Sequence, residues 1–173
     1  FPKLGLPAVR AKVDPGARTA ALHAVSVEPF GPLDKPQVRF IMHPVPDKPE
    51  IEVVCSAPAV DRREVTSSNG EAEQRYVIAT TLEVGGQSWP IEVTLTNRDA
   101  MGYRMLLGRE AMKGRVLIDP DSSFCLGELD DAEVLKNYRE AMPSKGGLKI
   151  LLLASNKDLY SNQRLLEAAA QRG

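Results

Sequence analysis

Cysteine is scarce in this sequence: Cys55 and Cys125 are the two present, far apart and in no C-x-x-C arrangement. That pattern argues against a disulfide framework and for free thiols in a reducing cytosol. Long apolar runs are lacking as well. The longest, Leu148 to Ala154, is interrupted by Lys149 and is far too short to cross a bilayer. No charged n-region followed by an apolar h-region marks a secretory signal at the start. Neither sign of charge is in excess, with 22 Lys and Arg against 23 Asp and Glu, so no global field points to nucleic acid or a membrane. H-E-x-x-H is absent. The histidines are His23 and His43 alone, and no carboxylate motif stands near them at ligand spacing. A glycine-rich phosphate loop is absent too. The first part of the chain is therefore expected to hold neither metal nor nucleotide, and the default location is the cytoplasm.

What is present, 173 residues, suffices for one domain with a sizeable core and part of a second. The chain starts at Phe1 without an initiator Met and stops at Gly173 inside an apparent helix, so it reads as a fragment of a longer protein. Residues 5–120 read as mostly β, with strands over 6–13, 19–28, 37–42 and 50–55. The alanine-rich stretch 17–25 also suits a helix, but the flanking turn and β-branched residues favour strand. Dense proline and glycine from 29 to 49 point to edge strands and loops. Residues 63–70 and 73–84 read as a hairpin with Asn69-Gly70 as its turn, and Gly85-Gly86 leads into a strand over 88–96. Trp89, Ile91, Val93 and Leu95 alternate on one face of that strand. A short apolar strand ending at Leu107 precedes Gly108 and a turn of helix to Met112, and residues 115–119 read as a last strand. Residues 130–142 have helical spacing and an acidic first turn, and residues 143–147 read as a linker. Leu148–Ala154 then reads as a strand buried on both faces, followed by a helix that Ser161 caps. That is the opening β–α unit of a truncated α/β domain.

The chain is organised around Asp14. An apolar alternation (Leu6, Ala8, Ala11, Val13) delivers this carboxylate to a turn made by Pro15 and Gly16. Pro15 biases Asp14 toward an extended conformation and Gly16 permits backbone paths that other residues resist. An acid on a stiff strand end beside backbone N–H groups is how a catalytic carboxylate is positioned. It is also how an ordinary turn is built.

Asp14-x-Gly16-Ala17 at a strand end, with Leu106-Leu107 before Gly108-Arg109, resembles the retropepsin pattern. More narrowly, Ala11-Lys-Val-Asp-Pro-Gly-Ala-Arg-Thr-Ala-Ala-Leu-His-Ala24, Ser67-Ser-Asn-Gly70, Arg75-Tyr-Val-Ile78, Leu95-Thr-Asn-Arg98 and Met105-Leu-Leu-Gly-Arg-Glu110 resemble the bacterial family called ATP-dependent zinc proteases. The tail from Leu148 resembles the start of RimK-type ATP-grasp ligases, which add glutamates to a ribosomal protein's C-terminus. The resemblance implies a mainly β chain: a retropepsin-like closed β-barrel of the acid-protease fold over 1–127, then a helix and linker over 128–147. The truncated ligase domain then occupies 148–173.

The resemblance further implies a homodimeric aspartic peptidase, with Asp14 and Gly16 at the catalytic turn and two Asp14 carboxyls sharing one proton. The hairpin near 63–80 becomes a flap, and Lys12, Arg18, Thr19, Arg63, Asn69, Arg75, Arg98 and Arg109 become candidates to bind an acidic or glutamylated peptide, the arginines by their guanidinium forks. A RimK-type ligase is the expected partner, in cis or in trans. ATP and Mg²⁺ are expected for the ligase part alone. The family usually has Thr where this chain has Pro15, and proline supplies neither the hydroxyl nor the N–H that would brace two turns across a dimer. A non-catalytic module that holds glutamylated substrate for the ligase therefore stays open, as does, with few visible ligands, a true zinc hydrolase. Among the remaining residues, His23 on its apolar segment reads first as a packed core histidine. Trp89 and Tyr76 read as core or flap packing, and Glu110 reads as a helix cap or a partner of Arg109.

Overall fold

The period-two alternation becomes a single eight-stranded sheet in the computed structural model, which describes residues 1–66 and 70–141. A 3₁₀ turn at Pro2–Leu4 precedes β1 (Ala11–Asp14), β2 (Ala20–His23), β3 (Ser26–Phe30), β4 (Gln37–Met42), β5 (Val53–Thr66), β6 (Ala72–Val84), β7 (Gln87–Thr96) and β8 (Met105–Gly108). Two helices follow, α1 (Arg109–Met112) and α2 (Asp131–Ala141). The chain divides into two units, Phe1–Ala141 and Met142–Gly173. The second, with the linker and the β–α unit expected over 143–172, lies outside the described residues.

The strand order is β1-β8-β2-β7-β6-β5-β4-β3. β1 runs parallel to β8 and β2 parallel to β7, while the remaining neighbours are antiparallel. The chain is mainly β, and its two sheet edges are β1 and β3; among the described residues no ladder joins them into a closed barrel. Pro29 in β3 and Pro15 immediately after β1 lack the N–H that further pairing would use.

Several boundaries differ from the sequence expectation for identifiable reasons. The strand expected over 19–28 breaks at Ala24, whose N–H bonds Thr96 O (3.0 Å), while the N–H of Val25 bonds Ile41 O (2.9 Å). The chain there leaves β7 for β4. The strands expected at 50–55 and from 63 join as one 14-residue β5, with a register shift between Ala59 and Asp61. The strand expected over 6–13 begins only at Ala11, because Leu6 is fully buried in the core instead. Residues 115–119, expected as a last strand, pair with nothing described, and Leu117 is 99% exposed. The β6–β7 hairpin follows the sequence closely: Val84 faces Gln87 across Gly85-Gly86, whose φ values of 57° and 74° suit a right-twisted two-residue turn.

One core holds the sheet, with Leu6, Leu22, Phe40, Ile78, Val93 and Met105 at its centre. All four β2 residues are buried, which explains the small side chains of Ala20 and Ala21 in a strand with neighbours on both sides. Trp89, Ile91, Val93 and Leu95 are buried as their alternation requires, and Trp89 Nε1 donates to Ala111 O at 2.8 Å. α2 begins with a reciprocal capping box, Glu133 N to Asp130 Oδ1 (2.7 Å) and Asp130 N to Glu133 Oε2 (3.2 Å). Its buried Tyr138 donates its hydroxyl to Ala8 O, docking the helix on the chain that leads into β1. Cys55 is buried and Cys125 exposed, both as free thiols. Burial pushes the Cys55 thiol up to about 12, so it stays protonated and unreactive.

Candidate active site

Parallel pairing with β8 sets Asp14 opposite Gly108. Asp14 Oδ1 accepts the N–H of Gly16 (3.0 Å) and of Ala17 (3.1 Å). Pro15 has no N–H to offer, so the two donors come from the residues after it. A Cβ on Gly16 would stand 3.2 Å from that oxygen; glycine lets the backbone approach the carboxylate. The turn is stitched to α1 from below. Arg109 N donates to Ala17 O (2.9 Å), Glu110 N to Arg18 O (3.1 Å), and Arg109 Nη1 to Gly16 O (2.8 Å). A guanidinium therefore steadies the carbonyls of a turn whose proline removed a backbone donor.

Gly108 is demanded by space rather than by its dihedrals, which are extended. A Cβ there would meet Thr19 C and O at 2.6 Å and Ala20 N at 2.9 Å, all backbone atoms that cannot swing aside. Gly108→Ala is expected to push β8 off β2 beside Asp14 and to cost about 1–3 kcal/mol, read as a lower urea midpoint.

A groove of about 670 Å³ begins four residues beyond Asp14, lined by Arg18, Thr19, Arg63, Glu64, Glu92 and Glu110 among others. A second depression of about 360 Å³ is bordered by Pro15 and Arg109. Asp14 lines neither in the single chain. Of the sequence candidates, Arg18, Thr19 and Arg63 meet in the first groove and Arg109 stands at the turn. Lys12 is exposed on β1. The groove is not basic: its arginines meet carboxylates, Arg18 Nε lying 3.8 Å from Glu110 and Arg63 Nη2 2.8 Å from Glu92, with Asp61 on Arg63 Nε. Glu110 thus pairs with Arg18 instead of Arg109, and α1 has no side-chain cap. Sequence reading passed over Glu64 and Glu92, whose exposed strand positions look like ordinary solvated charge.

Arg75 and Arg98 lie elsewhere. Arg75 Nε pairs with Glu73 at 2.7 Å, and that carboxylate also accepts from Thr96 Oγ1 at 2.9 Å. Arg98 is buried, with Nε on Tyr103 O at 3.2 Å; burial, then the charge of Arg75, lowers its pKa. Tyr76 is half-buried in the β5–β6 hairpin under the Arg62 guanidinium, 5.3 Å from its ring centre. Asn69 lies outside the described residues.

The histidines are less isolated than their spacing implied. His23, fully buried, accepts the Arg98 backbone N–H on Nδ1 at 3.0 Å, and its Nε2 is 3.4 Å from Asp99. Asp99 arrives from the loop after β7, which no local spacing could reveal. Burial first, then the charge of Arg104, lowers the His23 pKa to about 4, so the ring is neutral at pH 7.

A family model described as retropepsin-like aspartic endopeptidase RimB matches residues 2–128. A protein of Shewanella pealeana named "Probable alpha-L-glutamate ligase" is 56% identical across 100% of this chain, which covers 38% of that relative. One of the same name from Parasynechococcus marenigrum is 49% identical across the whole chain and is covered to 37%. The chain thus spans little more than a third of the length of these curated relatives. The crystal structure of a Legionella pneumophila protein of unknown function aligns with a TM-score of 0.56 at 30% identity, over 67% of this chain and 83% of that one. An acid on a strand-end turn, a glycine packed against the neighbouring strand, and a family match that takes in both of them lead to one statement: the chain belongs to the RimB-like family of retropepsin-like aspartic endopeptidases.

Proposed function

We propose that this domain is an aspartic peptidase that works as a homodimer and cleaves acidic, glutamylated peptide ends. The observation that carries the reading is the Asp14 turn, a carboxylate oriented by two backbone N–H groups on a sheet edge, with one such acid among the described residues. Water activation by this chemistry needs two carboxyls, so a second copy supplies the other. Close together they share one proton. The ionised Asp14 takes a proton from water, the water oxygen attacks the scissile carbonyl carbon, and the protonated Asp14 donates a hydrogen bond to the carbonyl oxygen. A proton then passes to the leaving amine as the C–N bond breaks. The apolar surface near the turn, Val13, Leu117 and Ile118, is 44%, 99% and 45% exposed and fits cover by that copy.

The acidic substrate class draws its support from relatives named glutamate ligases and from the cations near the turn. Among the described residues Arg18 has one carboxylate partner, Glu110 at 3.8 Å, and its side chain is exposed, so an incoming carboxylate can take it over. The ligase portion is a partner in cis in such longer chains, with ATP and Mg²⁺ belonging to its step. Pro15 favours a second reading, a binding module that holds the tail without cutting it.

The test is to incubate the protein with a polypeptide ending in oligo-glutamate, and with one ending in oligo-glutamine, and read product masses. Cleavage of the glutamate end alone supports the proposal. Equal cleavage of both removes the substrate class and keeps the peptidase. Tight binding of the glutamate end with neither cut leaves only the module.

A further inference from the structure

Among the described residues, one group of three has the donor types of a metal site: His23, His43 and Asp99, whose ligand atoms lie within 4.8 Å of one another. The family name that the sequence resembles carries zinc, so the fit of these residues to such an ion matters. Zinc takes a neutral imidazole through a nitrogen lone pair and takes a carboxylate freed from competing cations.

Hydrogen-bond polarity at His23 runs the other way. Its Nδ1 accepts the Arg98 N–H at 3.0 Å, so that nitrogen carries no proton and its lone pair is engaged. A neutral imidazole has one N–H, which must therefore sit on Nε2, the atom 3.4 Å from Asp99 Oδ1. Coordination through Nε2 would move the proton onto Nδ1, against the Arg98 N–H, or remove it altogether. The carboxylate is also claimed: Arg104 Nη1 lies 3.3 Å from the same Asp99 oxygen. Two buried polar atoms here lack a hydrogen-bond partner, His23 Nε2 and Arg104 Nε. Both are donors, and donors call for an acceptor such as water, whereas a cation repels them. His43, the third member, has its Nε2 3.6 Å from Glu52.

We infer that this cluster is a hydrogen-bond clamp closed to divalent metals, in which His23 Nδ1 holds the Arg98 N–H and Arg104 Nη1 holds Asp99, so that the loop after β7 is tied to β2. The backbone supports the same tie, with His23 N donating to Arg104 O at 2.8 Å and Ala24 N to Thr96 O at 3.0 Å. The assignment does not depend on the peptidase reading.

The experiment uses the full chain at pH 7, dialysed against zinc, with bound metal measured by elemental mass spectrometry, Tm followed with zinc and with a chelator, and the His23 tautomer read from ¹⁵N chemical shifts. The expected result is an Nε2–H ring at His23, unchanged by zinc, and a Tm that neither zinc nor the chelator moves. Zinc retained equally by His23→Asn and Asp99→Asn lies at another site and agrees with the clamp. One zinc per chain that both variants lose, or an Nδ1–H ring at His23, overturns it.

Discussion

Asp14→Asn is expected to lower peptide cleavage by roughly 10²–10⁴-fold, the share of the rate that a positioned acid–base group supplies. The substitution keeps the shape of the side chain, and an amide oxygen still accepts the N–H groups of Gly16 and Ala17 that hold Oδ1 at 3.0 and 3.1 Å. Stability should therefore stay within about 0.5 kcal/mol of the wild type. What is lost is the ability to take a proton from water. Mixing the two proteins separates a shared site from a single one. If each site needs both acids, an equal mixture of freely exchanging subunits retains about a quarter of the activity; a linear fall to about half would mean that each chain works alone, and the dimeric mechanism would go.

Acidification should destabilise the fold through His23. Its pKa in the folded chain is about 4, against the ordinary 6.5, because burial and the Arg104 charge, with smaller contributions from His43 and Arg98, outweigh the attraction of Asp99. Below pH 6.5 the unfolded chain binds a proton that the folded chain refuses, so stability is complete above pH 6.5 and drains away as pH falls toward 4. The full difference is on the order of 3 kcal/mol. Urea unfolding followed by fluorescence of Trp89, the chain's single tryptophan, gives the curve. His23→Asn keeps an acceptor for the Arg98 N–H and removes the titration. Carboxylates titrate in both proteins, so the difference between the two curves isolates the histidine. Parallel curves from pH 7 to 4 would remove His23 as the cause.

The parts of this fold set by neighbours in the chain were legible beforehand. Trp89 to Leu95 alternate because one sheet face is buried, and Gly85-Gly86 turns because both residues need positive φ. The helix at Asp131–Ala141 follows from its helical spacing and acidic first turn. The Asp14 turn itself was visible from proline and glycine chemistry. Residues 115–119 misled because an apolar run has strand composition whether or not a partner strand lies beside it, and none does among the described residues.

What the sequence by itself determined was the mainly β character, the hairpins and the carboxylate at a strand end, because each rests on interactions between residues close along the chain. Only the tertiary structure decided which charges meet. It paired Arg18 with Glu110 and Arg63 with Glu92, buried Arg98 with its Nε on the Tyr103 carbonyl, and brought Asp99 to His23 across 76 positions of sequence. Electrostatic attraction acts through space and falls off over a few ångströms, so the partners of a charge depend on which strands the sheet makes adjacent, and that order, β8 beside β2 and β2 beside β7, is written in no local pattern.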